Sequence, residues 1–188
     1  MQGTFIQIGL FIVNTIATLY VGAVLLRFLL QVARADFYNP LSQMIVKVTN
    51  PLLKPLRKFI PGVAGLDLAS LVLAFLAQIV FIWAMQLVVG NPIGIYGGLL
   101  FIWAILAVTM LILGIYMLSM FVVAIASFVA PYSGNPALTL LRQLIEPICA
   151  PARKLIPPMG GFDFSFMVVA MVIYILRIFI SGVARSYG

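Results

Sequence analysis

Long uncharged apolar runs decide what this chain can become. Residues 68–89 include Gln78 and Gln86 but no Asp, Glu, Lys or Arg, and residues 93–130 form an uncharged stretch of 38 residues. Two further runs, about 4–30 and 164–182, carry one charge each, Arg27 and Arg177. A helix needs about 20 apolar residues to cross the hydrocarbon core of a bilayer. No water is available there, so the backbone must satisfy its own polar groups, as a helix does. The runs therefore predict an all-α membrane protein. With 64% apolar and 8% charged residues, the chain is far from the roughly 25% charge of a soluble domain. It has no histidine and one cysteine, Cys149, which removes imidazole catalysis, His-ligated metals and an intrachain disulfide. No catalytic residue, metal site or cofactor is expected, and the chain reads as a non-enzyme. The first run has no preceding Lys or Arg and no small-residue cleavage pattern, which marks a retained span rather than a signal peptide.

An internal repeat resolves the third run, which as one helix would be about 57 Å long. Shifted by 96 residues, Asn39-Pro40 falls on Asn135-Pro136, Pro51 on Pro147, Pro55 on Pro151 and Arg57-Lys58 on Arg153-Lys154. Ile60-Pro61 then falls on Ile156-Pro157, Gly65 on Gly161 and Asp67 on Asp163, so that 10 of 29 positions are identical without a gap. Hydrophobic bias does not repeat prolines, glycines and charges, so the duplication is real. Two units follow, 1–92 and 93–188, each a span, a basic proline-rich loop and a second span. The spans are placed at about 4–30, 68–89, 100–129 and 164–182, with loops at 34–66 and 130–162, and Gly90–Gly98 forms an inter-unit turn. A fifth span, made by splitting the third run near Gly97 or Gly114, would break the repeat.

With four spans both loops lie on one side, and they hold eight of the eleven cations: Arg34, Lys47, Lys54, Arg57, Lys58, Arg142, Arg153 and Lys154. The positive-inside rule makes the loops cytoplasmic and both termini extracytoplasmic, in a cell inner membrane. The units are then parallel, related by an axis along the membrane normal. Each loop opens with an asparagine N-cap and a proline at the first helical position. Apolar residues follow at helical spacing, Leu41, Met44, Ile45, Val48 and Leu52 in one loop and Ala137, Leu140, Leu141, Leu144 and Ile148 in the other. Pro51 and Pro147 are expected to break this helix or start another, and Pro61 and Pro157 to end the short helix beyond. A basic amphipathic helix tied between spans fits the lipid interface, its cations facing anionic cytoplasmic lipid. A docking surface for a cytoplasmic partner or polyanion is the second reading, and a re-entrant hairpin, at greater cost in buried charge, the third.

The pattern N-P-x(10)-P-x(3)-P-x-R-K-x-I-P, followed by a glycine-containing turn and an aspartate, resembles the YggT family of small bacterial membrane proteins with plastid relatives. Met159-Gly160-Gly161 stands in the second copy where Val63-Ala64-Gly65 stands in the first. The resemblance implies osmotic tolerance and potassium uptake, and cell-division, envelope or cytochrome-assembly roles. It brings no active site. Two functions are therefore expected: support of osmotic adaptation through cation uptake, or a membrane scaffold recruiting division or membrane-complex components through its basic helices.

Asp67 and Asp163 open the second span of each unit. There a carboxylate can cap the helix, pair with Arg57-Lys58 or Arg153-Lys154, or stand with its twin at the mouth of a cation path. Asn14, Gln78 and Gln86 lie at membrane depth, where interhelical hydrogen bonds are their usual role. Arg177, in the last span, either snorkels to the outer face or serves a function. Gly90, Gly94 and Gly98 have helix-packing spacing but coincide with the inter-unit turn. Cys149 replaces Leu53 as an apolar filler. The expected partners are the bilayer with its anionic lipid and a membrane-protein partner or second copy of the chain, with no direct nucleic-acid binding.

Overall fold

The structure is a computed structural model that describes residues 2–63, 65–90, 97–130, 133–156 and 163–186. Pro157, residues 91–96 of the expected inter-unit turn, Ala64 and residues 159–161 lie outside the described residues. Six helices follow in order: α1 (Gln2–Val32), α2 (Pro40–Leu56), α3 (Leu68–Val89), α4 (Gly97–Val129), α5 (Pro136–Leu155) and α6 (Phe164–Ser186). Of these, α1, α3, α4 and α6 are long and apolar enough to cross a membrane. The α4 helix runs unbroken through Gly114, so the duplicated order span, loop helix, span holds in both units. Gly90 closes α3 in the left-handed region, φ 77°, and its N–H bonds to the carbonyls of Gln86 and Leu87.

The first span of each unit is the longer one. With 31 and 33 residues, α1 and α4 extend about 46–50 Å, against about 33–35 Å for the 22 and 23 residues of α3 and α6. The last turn of α1, on the loop side, is where α2 and α5 pack. Val21, Val24 and Leu25 of α1 meet Ala69, Leu73 and Ala74 of α3 and Leu53 of α2 in one buried cluster. Met120 of α4, Ile145 and Cys149 of α5 and Ile173 of α6 make the counterpart in the second unit. A third cluster joins the units, with Leu29, Leu30 and Ile45 against Leu140 and Leu144.

The loop helices differ from expectation in two ways. The α2 helix does not break at Pro51: it passes through Pro51 and Pro55, as α5 passes through Pro147 and Pro151. An interior proline costs a helix about 3 kcal/mol. All four rings stand on the exposed side, so the lost backbone bonds lie away from the bundle. The inner face stays in register across the prolines, with Ile45, Thr49 and Leu53 buried at four-residue spacing. Burial at about 1.5–3 kcal/mol per large side chain offsets the prolines. In addition, the expected apolar stripe is not the packed face of α2. Ser42, Ile45, Thr49 and Leu53 face the bundle, while Met44, Val48 and Leu52 are exposed. In α5 the counterparts of Met44 and Val48, Leu140 and Leu144, are buried.

Candidate functional site

Each loop helix is seated by the residues that open it. Asn39 and Asn135 accept the N–H of Leu41 at 3.0 Å and of Ala137 at 2.8 Å, ahead of Pro40 and Pro136 at the first helical position. The two asparagines then part company. Asn39 is buried, and its amide crosses to the second unit, donating to the Pro136 carbonyl at 2.8 Å, while Asn135 is exposed. Asn39→Ala should therefore cost about 1 kcal/mol more than Asn135→Ala, the difference being one buried hydrogen bond. Paired thermal melts of the two variants measure it.

Arg27 is the residue that the sequence reading passed over as a charge at the edge of a span. It projects from α1 to α2, and the residue is 9% exposed. Nη1 donates to Thr49 Oγ1 at 2.7 Å, Asn50 Oδ1 at 2.9 Å and the Val46 carbonyl at 3.4 Å. The repeat carried the signal: Arg27, Thr49 and Asn50 correspond to Val123, Ile145 and Glu146, so all three lose their partners together in the second unit. There Val123 packs on the Ile145 and Cys149 cluster instead.

Both candidate carboxylates are held by arginine. Arg57 grips Asp67 through Nη2 at 2.5 Å and Nε at 3.3 Å, and the Ser70 hydroxyl donates to the same carboxylate. Asp67 stands at the N-cap of α3, yet its side chain accepts no backbone cap bond. In the second unit Arg153 Nε donates to Asp163 at 2.8 Å, while its Nη1 donates to both Glu146 oxygens at 2.9 and 2.7 Å. The Ser165 hydroxyl and, at 3.3 Å, the Phe166 N–H complete the Asp163 shell, so this aspartate does cap its helix. Burial alone would push the Asp67 carboxyl up, but the Arg57 and Ser70 hydrogen bonds hold it below the usual carboxylate range. Asp163 is lowered in the same way, against its own burial, by Ser165 and Arg153. Neither carboxylate pairs with Lys58 or Lys154 among the described residues.

Arginines and lysines have separate jobs on this side. Arg27, Arg57 and Arg153 turn inward to fixed partners, whereas Lys47, Lys54, Lys58 and Lys154 are exposed and take part in no ion pair among the described residues. Between the end of α1 and α2 lies an open cleft of about 370 Å³, with Arg27, Arg34, Arg57, Gln31, Phe37 and Ser42 on its wall. Arg34 reaches it from a left-handed turn, φ 51°, that ends α1. Arg27 and Arg57 are committed to Thr49, Asn50 and Asp67, whereas Arg34 makes no side-chain hydrogen bond among the described residues, and a guanidinium suits a phosphate or carboxylate group. No cluster of metal-ligating side chains occurs among the described residues.

The intramembrane polar residues stay apart from this site. Gln78 is buried in α3 with its Oε1 unpartnered, Asn14 faces outward from α1 and Gln86 is half-buried. None of the three makes a side-chain interhelical hydrogen bond among the described residues. Arg177 lies half-buried against α4, where a side chain at Gly114 would meet its Nη1 at 2.9 Å.

Fold and site together define a small multi-pass membrane protein of two tandem units, each clamping a basic proline-rich helix against its own spans. The chain belongs to the CCB3/YggT family, whose model matches twice, over residues 6–88 and 102–184. It is 45% identical over 157 residues to an uncharacterized Pseudomonas aeruginosa protein, covering 84% of this chain and 80% of that one. It is 37% identical over 179 residues to the Escherichia coli K12 protein named "Uncharacterized protein YggT", covering 95% and 92% of the two chains. A Vibrio alginolyticus protein is 36% identical over 159 residues, covering 85% of each. None of these names states an activity, and no solved structure matches the chain.

Proposed function

We propose that the protein is a non-enzymatic scaffold of the bacterial inner membrane. Its clamped proline-rich helices hold anionic lipid at the cytoplasmic face and present a lysine-rich surface to membrane-complex components. The observation that carries this is the division of labour between cations: Arg27, Arg57 and Arg153 lock the helices to the spans, and the exposed lysines remain for outside partners. Charge asymmetry favours a cytoplasmic placement of this side, with both termini across the membrane. The cleft beside α2, with Arg34 on its wall, supports a headgroup seat in this reading.

Potassium uptake in support of osmotic adaptation is the second reading, implied by the family resemblance. A cation path would need Asp67 and Asp163, and each is held by an arginine, which favours the scaffold. Rubidium flux into proteoliposomes separates the two. The scaffold gives no flux above empty liposomes, and flux abolished by Asp67→Asn with Asp163→Asn would establish uptake instead. The lipid surface has its own readout. Changing Lys47, Lys54, Lys58 and Lys154 to glutamine removes roughly 1 kcal/mol of attraction per lysine. Retention of phosphatidylglycerol, counted by native mass spectrometry, should fall several-fold with the melting temperature unchanged.

A further inference from the structure

The two units of one chain meet partly through like elements, α1 on α4 and α2 on α5, and partly through unlike ones. The α1 helix touches α5 and α3 touches α4, whereas the repeat counterparts of these contacts, α4 with α2 and α6 with α1, are not made among the described residues. A twofold relation would make both sets. The contact is instead heterologous, and a heterologous contact leaves one face of each kind open at its ends until it closes into a ring.

The open faces can be located residue by residue. Leu140 and Leu144 of the second unit are buried against the first at 3% and 0% exposure, while their counterparts Met44 and Val48 are 57% and 54% exposed. On the opposite side of the contact, Leu29 is 4% exposed, and its counterpart Ile125 is 46% exposed. The polar part follows the same rule. Asn39 reaches the Pro136 carbonyl inside the chain, while Asn135 and Pro40, the pair that would repeat this bond, are both exposed. Ile112 of the contact has an exposed counterpart of the same type, Ile16 at 53%, whereas Tyr20, the counterpart of Tyr116, packs on the first unit's own core. One bond is not carried over, because Gln143, which accepts the Asp36 N–H at 2.9 Å, corresponds to Lys47.

We infer that a second copy of the chain covers this face: the Ile125 and Asn135 face of one copy packs on Met44 and Val48 of the next. The chain thus repeats between copies the contact that it makes within itself. Two copies closing in this way place four units in a ring. Lys47 stands between Met44 and Val48, so this face borders the basic surface, and the test is therefore read from copy number and cross-linking rather than from lipid binding.

Two differently tagged forms, one carrying Met44→Cys and the other Ile125→Cys, test the contact when co-expressed and oxidised in native membranes. Both positions are exposed, so folding is preserved, and the native Cys149 is buried. The expected result is a disulfide joining the two tags, absent when Leu76→Cys, exposed on α3, replaces Met44→Cys. In lipid nanodiscs the unmodified protein should have a mass of at least twice 20.5 kDa, and Met44→Arg with Val48→Arg should reduce it to that of one copy. A single copy in the unmodified protein means that lipid covers the face and overturns the proposal. Two copies without the 44–125 link overturn the assignment of the face.

Discussion

Arg27→Leu should lower the stability of the protein by about 2–4 kcal/mol, the largest effect expected of any single loop-side change. A hydrogen bond from a charged donor contributes about 1.5–3 kcal/mol, and orphaning a buried acceptor adds a desolvation cost. The variant loses the bonds to Thr49, Asn50 and the Val46 carbonyl together. Thr49 keeps its own bond to the Ile45 carbonyl at 2.8 Å, which limits the loss. Thermal unfolding in detergent measures the change. The second unit supplies the rescue: Arg27→Val with Thr49→Ile and Asn50→Glu installs the set found at 123, 145 and 146. Glu146 precedes Arg153 by seven residues and binds it, and a glutamate at 50 precedes Arg57 by the same seven. At least half of the lost stability should return. An unchanged melting temperature in Arg27→Leu would mean that Arg27 serves the cleft alone and does not hold α2.

Asp67→Asn should cost about 2–3 kcal/mol, and Asp163→Asn less than about 1 kcal/mol, although the two occupy the same position in the repeat. The difference is solvent. The Asp67 side chain is 6% exposed, against 32% for Asp163. Removing one partner of a buried pair is expensive, and Arg57, itself half in solvent, keeps the figure below the fully buried range. Arg153 retains Glu146 when Asp163 is neutralised, and exposed pairs contribute little. The pH dependence has a definite sign. The folded Asp67 carboxyl titrates below the ordinary value, which is about 3.9. Its stabilisation is fully present above that value and is lost as the pH falls through the lowered folded value. Between the two, stability rises with pH, because only the unfolded chain binds the proton. Acid unfolding curves should show a steeper limb in the unmodified protein than in Asp67→Asn, where only the more exposed Asp163, also lowered, still contributes.

Much of the fold was legible because membrane helices write themselves into sequence. The uncharged runs at 68–89 and 93–130 could only be apolar helices, and prolines and charges recurring at a shift of 96 residues revealed the two tandem repeats. The asparagine caps were equally plain, since each precedes a proline. The packed side of α2 was not legible. Its apolar stripe at 41, 44, 45, 48 and 52 satisfies helical periodicity, yet the bundle takes Ser42 and Thr49, because the Asp36 carbonyl accepts from the Ser42 hydroxyl and Arg27 donates to Thr49. The continuity of α2 through Pro51 and Pro55 was hidden for a related reason. Local preference ends a helix at proline, and only packing of Leu53 against α1 and α3 outweighs it.

The sequence by itself determined that this is a duplicated four-span membrane protein with its positive charge gathered on one side. Transfer into a bilayer and backbone satisfaction are properties of a segment and need no neighbour. Only the tertiary structure decided which charges are structural and which face outward. It also decided that Met44 and Val48 are open while Leu140 and Leu144 are covered. Periodicity shows which residues share a helix face but says nothing of what that face meets. Two nearly equivalent units joined head to tail give equivalent residues opposite fates.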